Sequence, residues 1–125
     1  MLDSAEVVAF IATMDTVRAR SFYEGVLGLR FVSEDAFALV MDANGTTLRI
    51  AKVHEFTPAP FTVLGWKVAD IAQVISGLRK KGVQFERFGF LQQDEVGIWS
   101  APGGAKVAWF KDPDGNLLSI TQQRD

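Results

Sequence analysis

The sequence predicts an α+β fold built from two tandem β-α-β-β-β modules, and three observations carry that prediction. The segment Asp42-Ala-Asn-Gly-Thr-Thr-Leu-Arg-Ile50 returns as Asp112-Pro-Asp-Gly-Asn-Leu-Leu-Ser-Ile120, a shared Asp-x-(Asn/Asp)-Gly-x-x-Leu-x-Ile pattern. A second echo precedes each copy: Val8 to Asp15 parallels Val63 to Asp70, each an apolar stretch that ends at Asp and leads into helical spacing and a Gly. With 48% hydrophobic residues in 125, the chain suits one domain over 1–125, made of half-sized modules that must pack together.

The elements follow in order. Glu6 to Thr13 alternates like a strand. Asp15 can cap a helix whose apolar face is Val17, Phe22, Val26 and Leu27, and Gly28 closes it. Leu29 to Val32, Phe37 to Met41 and Thr46 to Val53 read as three strands, the last two joined by the Asn-Gly turn, whose residues tolerate positive φ. These make module one, about 5–53. Residues 54–60 carry two prolines and no periodicity, as a linker does. Module two, about 61–123, repeats the order: a strand at 61–68, a helix from Asp70 to Lys81 closed by Gly82, and strands at 83–88, 105–110 and 117–122. The insert Gly89 to Gly104 breaks the symmetry and reads as a functional lip.

Composition excludes several functions. A net charge of −2 with scattered cations leaves no electrostatic footprint for nucleic acid, and Arg79-Lys80-Lys81 reads as the last turn of a helix. The absence of cysteine excludes disulfides, thiolate catalysis and Cys-ligated metal. No stretch approaches the roughly eighteen apolar residues of a membrane span, and the basic-then-apolar pattern of a signal peptide is missing, so the cytoplasm is the expected location. Ser119 has no evident histidine partner, the glycine pairs do not follow nucleotide-loop patterns, and Asp112-Pro-Asp-Gly reads as a turn rather than a calcium loop.

The repeated module, with Phe22-Tyr-Glu-Gly-Val-Leu-Gly28 after the first helical stretch and Asp112-Pro-Asp-Gly-Asn-Leu before the last strand, resembles the vicinal oxygen chelate superfamily. That superfamily contains glyoxalase I, bleomycin-resistance proteins, fosfomycin-resistance enzymes and extradiol dioxygenases. The resemblance covers essentially the whole chain. It implies a curved, cup-like mixed β-sheet with helices on the outside, a ligand or divalent metal in the cup, and a homodimer.

The superfamily's enzymes place a His or Gln in the first strand and a Glu in the last strand of each module. Counted from the capping aspartates and the hairpin glycines, those four positions are Val8, Arg49, Val63 and Ser119. Val has no donor atom, Arg is a fixed cation, and Ser alone is a weak ligand. No metal and no other cofactor is therefore expected. A displaced metal site would have to draw on Glu6, His54, Glu86, Asp94 or Glu95; His54 and Glu55 read more simply as loop residues, and the acidic group as surface charge.

Alternation from the four family positions puts Glu6, Val8, Phe10, Val63, Lys67, Arg49 and Ser119 on one inward face. Phe37 and Leu39 are expected to share it, with Trp99 and Trp109 as walls. This surface suits a flat, partly aromatic small molecule held by stacking, with Arg49, Lys67 or Glu6 fixing its orientation. An Arg in a strand needs an anionic partner, which is either Glu6 or a ligand carboxylate. The expected function is metal-independent binding of an aromatic or amphipathic ligand. The alternatives are a lyase, isomerase or dioxygenase with a displaced metal site, and a dimerisation module without ligand.

Overall fold

In the computed structural model, which describes residues 1–124, the chain divides into two compact units at Pro58/Ala59. The first contains β1 (Val8–Thr13), α1 (Thr16–Arg20), β2 (Arg30–Glu34), β3 (Ala38–Ala43) and β4 (Thr46–Lys52). The second contains β5 (Leu64–Lys67), α2 (Ile71–Lys80), β6 (Trp99–Ser100), β7 (Lys106–Lys111) and β8 (Leu117–Gln122). Each unit is thus a β-α-β-β-β module with one four-stranded mixed sheet, ordered β1-β4-β3-β2 in the first and β5-β8-β7-β6 in the second. The first and last strands of each module run parallel, and the rest are antiparallel. The repeat written in the sequence is therefore also a repeat of topology.

Both helices begin at an aspartate. Asp15 Oδ1 accepts from the Arg18 N–H and Asp70 Oδ1 from the Gln73 N–H, each at 3.1 Å, which satisfies one of the free amides of a helix start. The first helix departs from the expected course: after Arg20 it widens into a π-helical turn over Ser21–Val26, where the Leu27 amide reaches back five residues to the Phe22 carbonyl at 2.9 Å. The wider turn keeps Tyr23 fully buried. Gly28 then closes the segment at φ 78, a conformation other residues rarely adopt. The second helix is tied to its sheet where the Ile71 amide donates to Gln122 Oε1 at 2.9 Å.

One face of each sheet forms the core. In module one it carries Ile11, Leu39, Met41, Leu48 and Ile50, and in module two Ala108, Phe110, Leu118 and Ile120, with Ile71 and Ile75 supplied by α2. Phe85 stacks edge-on against Phe110 at 5.5 Å. Strand registers pair like with like: Leu39 stands opposite Ile50, and Phe110 opposite Leu118.

The two hairpin turns share a pattern but not a strength. Asn44 and Gly45 have φ of 51 and 94, and Asp42 Oδ1 accepts from the Gly45 amide at 3.2 Å. Asp112 is buried; its Oδ1 accepts from Asp114 N and Asn116 N, both at 2.9 Å, and its Oδ2 from Asn116 Nδ2 at 2.8 Å. Asp112→Ala leaves buried donors unpaired and is expected to cost about 2–3 kcal/mol in urea denaturation, whereas Asp42→Ala should cost under about 1 kcal/mol.

Three expected elements are corrected. The first strand starts at Val8, so Glu6 is outside it. The strand expected at 61–68 narrows to Leu64–Lys67, although the amides of Val63 and Val68 still pair with β8 carbonyls at 3.0 and 2.8 Å. Residues 83–88 form no strand. Phe85 makes a single bridge to Phe110, the Glu86 amide donates to the Trp109 carbonyl at 2.8 Å, and the rest of that β7 edge is taken by β6, inside the insert. A side chain replaces the missing ladder: Gln93 accepts from Phe88 N at 2.8 Å and donates to the carbonyls of Glu86 and Gly97 at 3.0 and 2.8 Å. The insert is a hydrogen-bonded loop that lends its own short strand to the sheet. Among the described residues, no helix is long and apolar enough to cross a membrane.

Candidate functional site

The face of each sheet turned away from its core carries the candidate site residues. In module two the registers lay them out in rows. Gly65, Ser119 and Trp109 stand abreast across β5, β8 and β7; Lys67, Thr121, Val107 and Trp99 form the next row. Val63 continues the β5 side at the opposite end, its amide bonded to the Leu117 carbonyl. Five residues singled out by sequence, Val63, Lys67, Trp99, Trp109 and Ser119, therefore share one surface.

Aromatic rings dominate this surface. Trp99 and Trp109 lie with centroids 6.1 Å apart and planes inclined at 37°, and Phe88 meets Trp109 edge-on at 5.4 Å. Phe90, 83% exposed, follows Phe88 at 5.7 Å. Such offset and edge-to-face arrangements suit the ring quadrupoles. The Trp109 indole N–H donates to Thr62 Oγ1 at 3.0 Å, which fixes the ring's rotation. Trp99 belongs to edge strand β6 rather than to a glycine-rich loop, and this explains its fixed place beside Trp109. Phe88 and Thr62 are site residues that the sequence reading missed. The Phe85-x-x-Phe88-x-Phe90 spacing was the available signal for the first, and nothing local signals the second.

Gly65 keeps the floor of this face low. A Cβ there would stand 2.5 Å from Ser119 Oγ and 3.3 Å from the Ser119 carbonyl, so the Ser119 hydroxyl occupies the space over the glycine. Ser119 itself is 9% exposed and offers a hydroxyl between Gly65 and Trp109.

In module one, the face away from the core carries Val8 and Phe10 on β1, Thr47 and Arg49 on β4, and Val40 and Asp42 on β3, in the rows Val8–Thr47–Asp42 and Phe10–Arg49–Val40. Phe10 is 63% exposed and Arg49 is half-buried. Leu39 does not share this face. It is paired with Ile50 in the core and fully buried, because one step along a strand reverses the side-chain direction. Phe37 is exposed in the turn before β3. Glu6 is exposed and lies outside β1, and among the described residues no ion pair joins it to Arg49.

The carboxylates of module one are engaged elsewhere. Glu34 pairs with Lys52 at 2.7 Å, and Asp42 lies 3.8 Å from Arg30. Asp35 Oδ1 accepts from the amides of Phe37 and Ala38 at 2.7 and 2.9 Å. Those two bonds hold its carboxyl below the ordinary value, with a smaller through-space contribution from the charges of Arg49 and Lys52. Among the described residues, no side-chain hydrogen bond or ion pair engages Arg49.

The residues do not fit a divalent ion. The four positions of the family pattern hold two valines, a guanidinium and one hydroxyl, and among the described residues no three His, Asp or Glu side chains are grouped to hold a metal. Glu86 instead pairs with Lys111 at 3.8 Å, and Asp94 Oδ1 closes the insert by accepting from Val96 and Ile98 at 3.0 and 2.8 Å. His54, Glu55 and Glu95 are exposed. A separate concavity of about 540 Å3 lies along the helical segment of module one, lined by Val17, Arg20, Glu24 and Glu34 among others. Its charges are already neutralised: Arg20 pairs with Glu24 at 3.0 Å and caps the Phe31 ring at 3.6 Å, and Glu34 is held by Lys52.

Comparison with known proteins gives a consistent result. The model of the Glyoxalase/Bleomycin resistance protein/Dioxygenase superfamily matches residues 5–120. A putative glyoxalase family protein from Bacillus anthracis superimposes with a TM-score of 0.77 at 16% identity, over 97% of this chain and 96% of that one. A lactoylglutathione lyase from Agrobacterium tumefaciens gives 0.73 at 15% identity, over 95% and 93%. An antibiotic binding protein from a Streptomyces species gives 0.71 at 19% identity, over 99% and 98%. At such identities the likeness concerns the fold. Among curated proteins, no sequence matches.

Proposed function

Because this chain belongs to the Glyoxalase/Bleomycin resistance protein/Dioxygenase superfamily, and because its residues do not suit the metal of that family's enzymes, we propose that it is a metal-independent small-molecule binding protein. It holds a planar aromatic or amphipathic compound stoichiometrically, in the cytoplasm, as a homodimer. The observation that carries this reading is the surface of module two: two tryptophans and Phe88 locked against one another beside Ser119, on the sheet face that does not serve the core. Rings held by packing and by the Thr62 hydrogen bond lose little freedom on stacking against a ligand, so their exposed area contributes to affinity. The large apolar side chains left in water, Phe10, Phe37, Phe61 and Phe90 among them, support self-association.

Native mass spectrometry of the untagged protein, before and after addition of zinc, nickel, manganese or iron, followed by titration with naphthoate, tests the reading. The expected result is a dimer that keeps no metal and binds the naphthalene probe saturably without converting it. One firmly retained metal per chain, or turnover, would replace the binder with an enzyme.

A further inference from the structure

Module two carries a concavity apart from its aromatic surface. It has a volume of about 310 Å3, and its walls come from three stretches of the chain: Arg79 from the last turn of α2, Val83, Phe85 and Arg87 from the segment after it, and Glu95 and Val96 from the insert. Phe85 packs on Phe110, on the face of β7 opposite to Trp109. Arg79 and Val96 also line an adjoining hollow of about 480 Å3, to which Ile75, Ser76 and Lys80 contribute. We propose that this double hollow is a binding site for a phosphate monoester, its phosphoryl oxygens held by Arg79 and Arg87 with Lys80 beside them, and its organic part lying against Val83, Phe85 and Val96.

Charge selects the ligand. Three cations, Arg79, Lys80 and Arg87, line the two hollows against one carboxylate, Glu95, in a chain whose total charge is −2. Among the described residues no ion pair engages any of the four, and no side-chain hydrogen bond engages Arg79 or Lys80. A phosphate monoester brings roughly −1.5 to −2 of charge and three acceptor oxygens. Guanidinium forks approaching from two separate elements suit that set of oxygens, whereas a single carboxylate is satisfied by one fork. The sequence shows only the run Arg79-Lys80-Lys81; the fold adds Arg87 and leaves out Lys81, which lines neither hollow.

The walls are fixed without neutralising the cations. Arg87 Nη2 donates to the Asp94 carbonyl at 2.7 Å, which orients the guanidinium while its partner carries no charge. Asp94 Oδ1 holds the amides of Val96 and Ile98, and the Glu86 amide is bonded to the Trp109 carbonyl, so both loop walls are anchored. At the end of α2 the amides of Lys81, Gly82 and Val83 donate to the carbonyls of Leu78 and Arg79 at 3.0–3.1 Å, which reduces the negative charge that a helix end presents to an anion.

Calorimetric titration of the full chain with phenyl phosphate, phenyl sulfate and inorganic phosphate tests the proposal. Phenyl phosphate is expected to bind saturably and roughly tenfold more tightly than phenyl sulfate, which keeps the ring but carries a single charge. Inorganic phosphate, without the ring, should bind more weakly than the ester. Arg79→Gln should weaken phenyl phosphate by roughly tenfold or more, the loss of a charge-assisted contact, and Arg79→Lys by less. Lys81→Gln removes the same charge two residues away and should change the affinity less than about twofold. Arg79 and Lys81 are exposed, and melting temperature establishes that each variant is folded. In 1H-15N spectra phenyl phosphate should shift the amides of Arg79, Arg87 and Val96 and leave the indole signals of Trp99 and Trp109 in place. No saturable binding, equal affinity for phenyl sulfate, or equal weakening by Arg79→Gln and Lys81→Gln would overturn the site. Shifts confined to the indoles would put the probe on the aromatic surface and also overturn it. The naphthoate titration reads the other surface, so the two readings fail separately.

Discussion

Trp109→Ala is expected to weaken naphthoate binding by roughly ten- to a hundredfold, the effect of removing one stacking ring. Trp109 is the hub of the aromatic surface. It contacts Trp99 and Phe88, and its N–H is anchored on Thr62. Without it, Trp99 on the two-residue β6 and Phe88 just before the insert lose the ring that holds them. Stability should also fall, by about 2 kcal/mol, since the indole is partly buried. Trp109→Phe separates the two contributions: it keeps one aromatic ring and gives up the Thr62 hydrogen bond with part of the stacking area, so binding should drop less than about fivefold. Fluorescence titration and the loss of the paired-tryptophan signal in near-ultraviolet dichroism read the two effects. Trp109→Ala binding the probe as tightly as the parent would remove the aromatic surface from the function.

Phe110→Ala should be the most destabilising single change in module two, at about 3–5 kcal/mol. Phe110 is fully buried, one residue from Trp109 but on the opposite face of β7, opposite Leu118 and edge-on to Phe85. Truncating it leaves a cavity between strand and core and removes the ring against which Phe85 packs. The comparison of adjacent residues is informative because alternation assigns them to different tasks. Trp109→Ala should change binding more than folding, and Phe110→Ala folding more than binding per folded molecule. Guanidinium denaturation of both variants, with binding normalised to the folded fraction, checks this; equal losses of stability would show that the two faces of β7 are not energetically distinct.

Legible in the sequence alone were the repeat, and through it the fold class, both helix starts, both hairpin turns and, within each module, the side of the sheet on which Phe10 and Arg49, or Val63 and Ser119, stand. These depend on local rules: a capping Asp, a positive-φ turn residue, a period of two, and a shared module order. Tertiary structure decided what depends on distant partners. Residues 83–88 alternate like a strand, yet Gln93 captures the polar groups of Glu86 and Phe88 and hands part of the β7 edge to Trp99–Ser100, because a side-chain amide can satisfy the same donors and acceptors as a ladder. Leu39 has the hydrophobicity of a wall residue, and only its pairing with Ile50 places it in the core. Glu6 and Arg49 are complementary in charge, yet β1 starts at Val8 and leaves Glu6 outside the strand, and among the described residues no ion pair joins the two. Composition and periodicity thus chose the modules and their faces, while the pairing of groups far apart in the chain decided which rings meet.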